Sequence, residues 1–162
     1  MARNVADIRN IALCGHGSSG KTTLVDQLLV QSGAVKGNPS VDAGTSICDF
    51  DEEEKHHKHS IEAAIVHLDY AGKRINLIDT PGYPDLVGQM IGSLRAVDTA
   101  LIAVDAHSGI KVNTRRAWQE AGRAGCGRML VITKLDTDNI DFPGLVSSLK
   151  EAFGGGCVLL NV

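Results

Sequence analysis

The chain has 162 residues, of which 43% are hydrophobic and 22% charged, with a formal net charge of −3. That length suits one domain with a core of its own, and the mild acidity excludes a general nucleic-acid-binding surface. No apolar run approaches the roughly 20 residues that cross a bilayer, no secretory leader pattern precedes the first strand, and Cys14, Cys48, Cys126 and Cys157 form no Cys-x-x-Cys pair, so they read as reduced thiols of a cytoplasmic protein.

In chain order, Arg9–Cys14 reads as a first strand and Lys21–Gln31 as a first helix, with Leu24, Leu28 and Gln31 on a helical spacing. Between them lies Gly15-His16-Gly17-Ser18-Ser19-Gly20-Lys21-Thr22, a glycine, four free positions, then Gly-Lys-Thr. Strand, glycine-rich loop and helix in that order form a phosphate loop. Its backbone N–H groups curl toward an anion and the helix N-terminus adds to the field. The candidate phosphate-binding residues are therefore His16 (through its N–H), Gly17, Ser18, Ser19, Gly20, Lys21, Thr22 and Thr23. Lys21 is suited to reach β- and γ-phosphates, and the Thr22 hydroxyl to ligate Mg²⁺.

The polar stretch 33–60 shows little helical or strand pattern. Residues 61–70 and 73–79 read as a hairpin turning at Ala71-Gly72. Val87, Met90, Ile91 and Leu94 share one helix face, Thr99–Asp105 is a buried strand, and Thr114, Ala117, Trp118 and Ala121 repeat the helical spacing. Arg128–Thr133 is another buried strand, Phe142, Leu145, Val146, Leu149 and Phe153 form a helical stripe, and 157–162 is a last apolar run. The alternation predicts an α/β fold: a mostly parallel sheet with one antiparallel edge strand and helices on both faces. Ligands in such sheets bind beyond the carboxyl ends of the strands, where Asp79, Asp105 and Thr133 fall.

Asp79-Thr80-Pro81-Gly82 ends one of those strands. An acid there is placed to meet Mg²⁺ through water, and Gly82 lets the backbone approach a γ-phosphate and donate its N–H. Thr133-Lys134-Leu135-Asp136 ends another strand. The Asp136 carboxylate can accept from both N1–H and the exocyclic amine of guanine, a pair adenine does not offer, and the Lys134 stem can lie along the base.

On these motifs, together with Asp49-Phe50-Asp51-Glu52-Glu53-Glu54 and the stretch 97–109, the chain resembles the GTP-binding domain of translational GTPases, most closely elongation factor G and its paralogues. The resemblance covers essentially all of 1–162 and implies a P-loop fold, GTP and GDP as ligands with Mg²⁺, GTP hydrolysis, a ribosome partner, a cytoplasmic location and a monomer. It implies Lys21, Gly82 and residue 83 as the hydrolytic group, and Thr22, Ser60 and Asp79 as the metal group. It also implies that 1–162 is the N-terminal part of a longer domain, ending before the last elements of that domain.

The chain departs from the family pattern at three places. Glu-Arg-Gly-Ile-Thr-Ile in the first switch segment corresponds here to His56-His57-Lys58-His59-Ser60-Ile61, with Ser60 in the threonine's place. Asp-Thr-Pro-Gly-His in the second becomes Asp79-Thr80-Pro81-Gly82-Tyr83. A phenol hydrogen-bonds water but is a poor base, so Tyr83 is expected to slow turnover, and Tyr83→His to raise it. Thr133 stands where the family has asparagine, and its shorter reach predicts looser guanine binding. Two alternatives stay open: a GTP-binding regulatory module with very weak hydrolysis, and an ATP-using phosphotransferase. The histidines at 56, 57 and 59 beside the acids of 49–54 read as a solvated switch loop rather than as a transition-metal site, and residues from about 35 to 59 are expected to be mobile until Mg²⁺ and a γ-phosphate bridge them.

Overall fold

The computed structural model describes residues 4–160. The described chain starts with a 3₁₀ turn at Val5–Asp7, then runs β1 (Ile8–Gly15), α1 (Lys21–Gln31), α2 (Glu52–His57), β2 (Ala64–Tyr70), β3 (Lys73–Asp79), a 3₁₀ turn at Pro84–Leu86, α3 (Val87–Leu94), β4 (Thr99–Asp105), α4 (Val112–Arg123), β5 (Gly127–Thr133) and α5 (Phe142–Phe153). The sheet order is β2-β3-β1-β4-β5. Only the β2–β3 pair is antiparallel, with Ala64 opposite Asp79 and Tyr70 opposite Lys73. Ala71 and Gly72 both take positive φ, 48° and 76°, which is the two-residue hairpin turn whose twist matches its strands.

The middle strands are apolar along most of their length because both faces are covered. Leu13, Leu77, Leu68 and Ala64 meet Val25 and Leu29 of α1 on one face. Ala12, Cys14, Ala100 and Ile102 meet Met90 and Leu94 of α3 and Ala117 and Ala121 of α4 on the other. Val104, two residues beyond Ile102 and so on the same face, packs with Leu145 and Leu149 of α5. Trp118 of α4 and Phe153 of α5 stack at 4.6 Å, and the Arg128 guanidinium lies 4.2 Å over the Trp118 ring.

This is the α/β architecture expected from the alternation, with a phosphate loop after β1 and with two corrections. The buried stripe of α1 is Val25 and Leu29, whereas Leu28 is exposed: the helix turns the face one residue beyond Leu24 and Leu28 to the sheet. The stretch 33–60 contains a helix, α2, started by a capping box in which Asp51 accepts from Glu53 N–H and the Glu54 side chain reaches back to the Asp51 N–H. In the last apolar run, residues 157–160 form no strand and Val158, Leu159 and Leu160 are exposed, while the rest of that run lies outside the described residues. Cys14, Cys48 and Cys126 are buried free thiols and Cys157 is half-buried. Burial pushes the Cys14 thiol up to about 12, so it is inert at neutral pH. Among the described residues no helix is long and apolar enough to cross a membrane.

Candidate nucleotide site

The parallel strands end on one side of the sheet, where Leu13 pairs with Asp79, Gly15 with Ala103 and Asp105 with Thr133. A cleft of about 400 Å³ opens there, and Gly17, Ser18, Gly20, Lys21, Thr22, Thr23, Ser60, Gly82, Tyr83 and Lys134 all border it.

The phosphate loop leaves β1 at Gly15 and enters α1 through Gly20, whose φ of 79° lies in the left-handed region. Lys21 is buried and its ammonium donates to the His16 carbonyl at 2.9 Å. Desolvation lowers the Lys21 pKa, and the Asp79 charge opposes that effect. An anion arriving beside Lys21 meets a cation already stripped of water, which makes their attraction stronger than at a surface. The buried Ser19 hydroxyl and His16 Nδ1 have no hydrogen-bond partner among the described residues.

Thr22 Oγ1 donates to Asp79 Oδ2 at 2.7 Å and lies 3.2 Å from Ser60 Oγ, which donates to Asp49 Oδ1 at 2.7 Å. Two hydroxyls and two carboxylates thus form one connected all-oxygen set. Asp79 is fully buried, burial pushes its carboxyl up to about 6, and its Oδ1 has no partner among the described residues. Burial raises Asp49 as well. Hard oxygen donors with an unpaired buried carboxylate oxygen fit Mg²⁺. In the sequence Asp49 is only one acid in an acidic stretch; its place beside Ser60 is a consequence of the fold.

Gly82 sits hard against the loop: a Cβ there would lie 2.5 Å from both Gly17 N and Lys21 Nζ. Thr80 anchors this turn by donating its hydroxyl to the Leu13 carbonyl at 2.6 Å, and buried Asn113 of α4 donates to the Gly82 carbonyl at 2.7 Å. Asn113 carries no sequence signal, because its partner is a backbone atom 31 residues away. Tyr83, 40% exposed, covers Gly17, whose Cβ would meet the ring at 3.3 Å.

Two further anchors order the segment before Ser60. Glu54, fully buried, accepts four backbone N–H bonds: Phe50 and Asp51 on Oε2, Ile61 and Glu62 on Oε1. Asp26 of α1 accepts from Ile47 N–H at 3.0 Å, and burial raises its carboxyl pKa.

Thr133 donates toward the Ser19 carbonyl at 2.8 Å and lies 3.2 Å from the Val104 carbonyl. Its hydroxyl therefore ties β5 to the phosphate loop despite its short reach. Lys134 bridges the Ser18 carbonyl and Asp105 Oδ2, each at 2.8 Å. Thr23 and Asp136 are exposed, and Asp136 makes no hydrogen bond to the described residues. Glu53, His56 and His57 bring ligand atoms within 4.8 Å of one another on α2, all three exposed. A shallower groove of about 630 Å³, bordered by Ile65, Asp85 and Gly92, holds no comparable cluster of polar groups.

A glycine-rich loop at a strand tip, a lysine folded into it and an acid at the tip of the neighbouring strand define a P-loop nucleotide-binding domain. The chain belongs to the elongation factor Tu GTP-binding domain family, whose model matches residues 6–157. It is 40% identical over 94% of its length to an elongation factor G-like protein of Mycobacterium tuberculosis. It is 35% identical over 98% of its length to a mitochondrial ribosome-releasing factor 2 of Rattus norvegicus. It spans 21% and 20% of those two relatives. A crystal structure of a Thermus thermophilus protein is 43% identical with a TM-score of 0.88, covering 92% of this chain and 22% of that one. A bacterial selenocysteine-specific elongation factor, 24% identical, shares the fold with a TM-score of 0.71 over 88% of this chain and 23% of that one.

Proposed function

We propose that the cleft binds GTP with Mg²⁺ and hydrolyses it to GDP and phosphate, and that the full-length protein couples this to the ribosome. The observation that carries the reading is the convergence of Lys21, Thr22, Ser60 and Gly82 on one cleft, with Thr22 Oγ1 at 2.7 Å from buried Asp79 behind it and 3.2 Å from Ser60.

In this reading the phosphate-loop N–H groups from His16 to Thr23 and the Lys21 ammonium hold the β- and γ-phosphates. Thr22 and Ser60 would hold the metal through their hydroxyls, and the Asp79 and Asp49 carboxylates beside them would supply negative charge to it. When bound, Mg²⁺ neutralises charge on the β- and γ-oxygens. The Gly82 N–H donates to the γ-phosphate. Water oxygen then bonds to the γ-phosphorus, the bond to the bridging oxygen breaks, GDP keeps that electron pair, and the water proton leaves with phosphate. Tyr83 lies on the γ-phosphate side, where positioning rather than basicity sets the rate. Asp136 selects guanine, and Thr133 and Lys134 hold the base loop against the phosphate loop.

The ribosome enters this proposal through the relatives, two of which are named for elongation factor G and ribosome release. The test is steady-state phosphate release by the natural full-length protein, with and without ribosomes. Turnover of GTP but not ATP, stimulated by ribosomes, is the expected result. GTP binding without turnover in either condition would favour a regulatory module instead.

A further inference from the structure

We infer that His59 is a water-positioning residue for hydrolysis, supplying from the segment before Ser60 the imidazole that position 83 lacks. The inference rests on the GTPase reading above and adds a residue to it.

Four observations converge. The His59 ring lies 4.7 Å from the Tyr83 ring, tilted by 55°. Both rings border the cleft that also holds Lys21, Ser60 and Gly82. Tyr83 in turn covers Gly17, where the missing side chain leaves it room, so the two rings form one wall over the phosphate loop. The ring orientation of His59 is also set. Its Nδ1 lies 3.0 Å from the His57 carbonyl. A carbonyl only accepts, so in that bond Nδ1 carries the proton. With Nδ1 engaged by that carbonyl, Nε2 is the ring nitrogen left free to meet an attacking water on the cleft side.

The backbone around His59 is held on both sides. Its N–H donates to the Glu54 carbonyl at 3.2 Å, the next residue's hydroxyl is fixed on Asp49, and the Glu54 carboxylate takes the N–H groups of Ile61 and Glu62. The imidazole is therefore presented from a built frame. It orients the water and does not retain its proton, which leaves with the phosphate. The tilted Tyr83 ring packs against the imidazole and keeps it over the phosphate loop.

Three substitutions separate the acceptor from the ring. His59→Phe keeps a ring against Tyr83 but has no acceptor, His59→Gln keeps an amide acceptor without the ring, and His59→Ala removes both. Single-turnover phosphate release from GTP and equilibrium binding of GDP would be measured on the natural full-length protein and each variant. His59→Phe and His59→Ala should slow phosphate release by about tenfold or more while GDP affinity stays within about twofold, and His59→Gln should recover most of the rate. Full activity in His59→Phe would overturn the inference. So would parallel losses of GDP affinity and turnover in all three variants, which would mark a structural role. A parent protein that binds GDP and GTP but releases no phosphate at all would overturn the GTPase reading itself, and this inference with it.

Discussion

At the residue scale, the site is built from atoms that have no room to vary. Gly82 is the clearest case, because its Cβ would meet Gly17 N and Lys21 Nζ at 2.5 Å. Backbone on one side and a buried ammonium on the other give no path for relaxation. Gly82→Ala is expected to weaken GTP binding by about tenfold or more, measured by equilibrium titration. A variant that binds GTP as the parent does would show that the turn moves away before nucleotide enters. Asp136 is the opposite case: exposed and without a partner among the described residues, it can change at no cost to the fold. Asp136→Asn should lower affinity for GDP by about 2 kcal/mol and leave thermal stability unchanged, read by nucleotide titration and thermal melting. Lys21, Thr22, Asp79 and Gly82 were legible in the sequence because each belongs to a short motif with fixed spacing. Asp49 and Asn113 were not, since their partners Ser60 and the Gly82 carbonyl lie 11 and 31 residues away.

At the element scale, the segment before β2 is organised by one carboxylate. Glu54 closes the capping box of α2 and also accepts the N–H groups of Ile61 and Glu62. The capping box itself was readable as Asp51-x-x-Glu54. It was overshadowed because α2 is a single short helix of six residues with no apolar periodicity. Replacing Glu54 by Gln leaves one oxygen acceptor and turns an NH₂ group toward two N–H donors. Glu54→Gln should therefore speed hydrogen exchange at Ile61 and Glu62 by about thirtyfold, equivalent to about 2 kcal/mol, with the β1, β3 and β4 amides unchanged. Equal protection in parent and variant would remove Glu54 from this role. The sheet, by contrast, was legible strand by strand, although β2 starts at Ala64 rather than at 61. Buried parallel strands carry continuous apolar runs, and the hairpin carries Ala71-Gly72 at a turn that demands positive φ. The face of α1 was misplaced because Leu24-Val25 and Leu28-Leu29 offer two adjacent apolar stripes, and only tertiary packing chooses between them.

At the scale of the whole molecule, the carboxyl ends of four parallel strands are laced to one loop. Thr133 and Lys134 bind the phosphate loop, and Lys134 also pairs with Asp105 at 2.8 Å. Burial pushes the Asp105 carboxyl up, but the Lys134 hydrogen bond, the Ser108 N–H and hydroxyl and the Lys134 charge outweigh it and hold the group down at about 2. A depressed carboxylate stabilises the fold above its unfolded value of 3.8 and loses that contribution as pH falls toward 2. Lys134 is partly exposed, so solvent screening reduces the contribution to about 1 kcal/mol. Asp105→Asn should lose that stability near neutral pH and flatten the dependence between pH 4 and 2, read as protease susceptibility of β5 across an acid titration, all else in the acid limb being common to both proteins. An unchanged acid limb would mean that the ion pair carries no stability.

The central claim is that this cleft selects guanine nucleotides, and equilibrium competition tests it most directly. A fluorescent GDP derivative bound to the natural full-length protein in the presence of Mg²⁺ would be displaced by unlabelled GTP, GDP, ATP or ADP. Displacement by GTP and GDP at concentrations about a hundredfold lower than by ATP and ADP is the result this account predicts. Equal displacement by adenine and guanine nucleotides would contradict it.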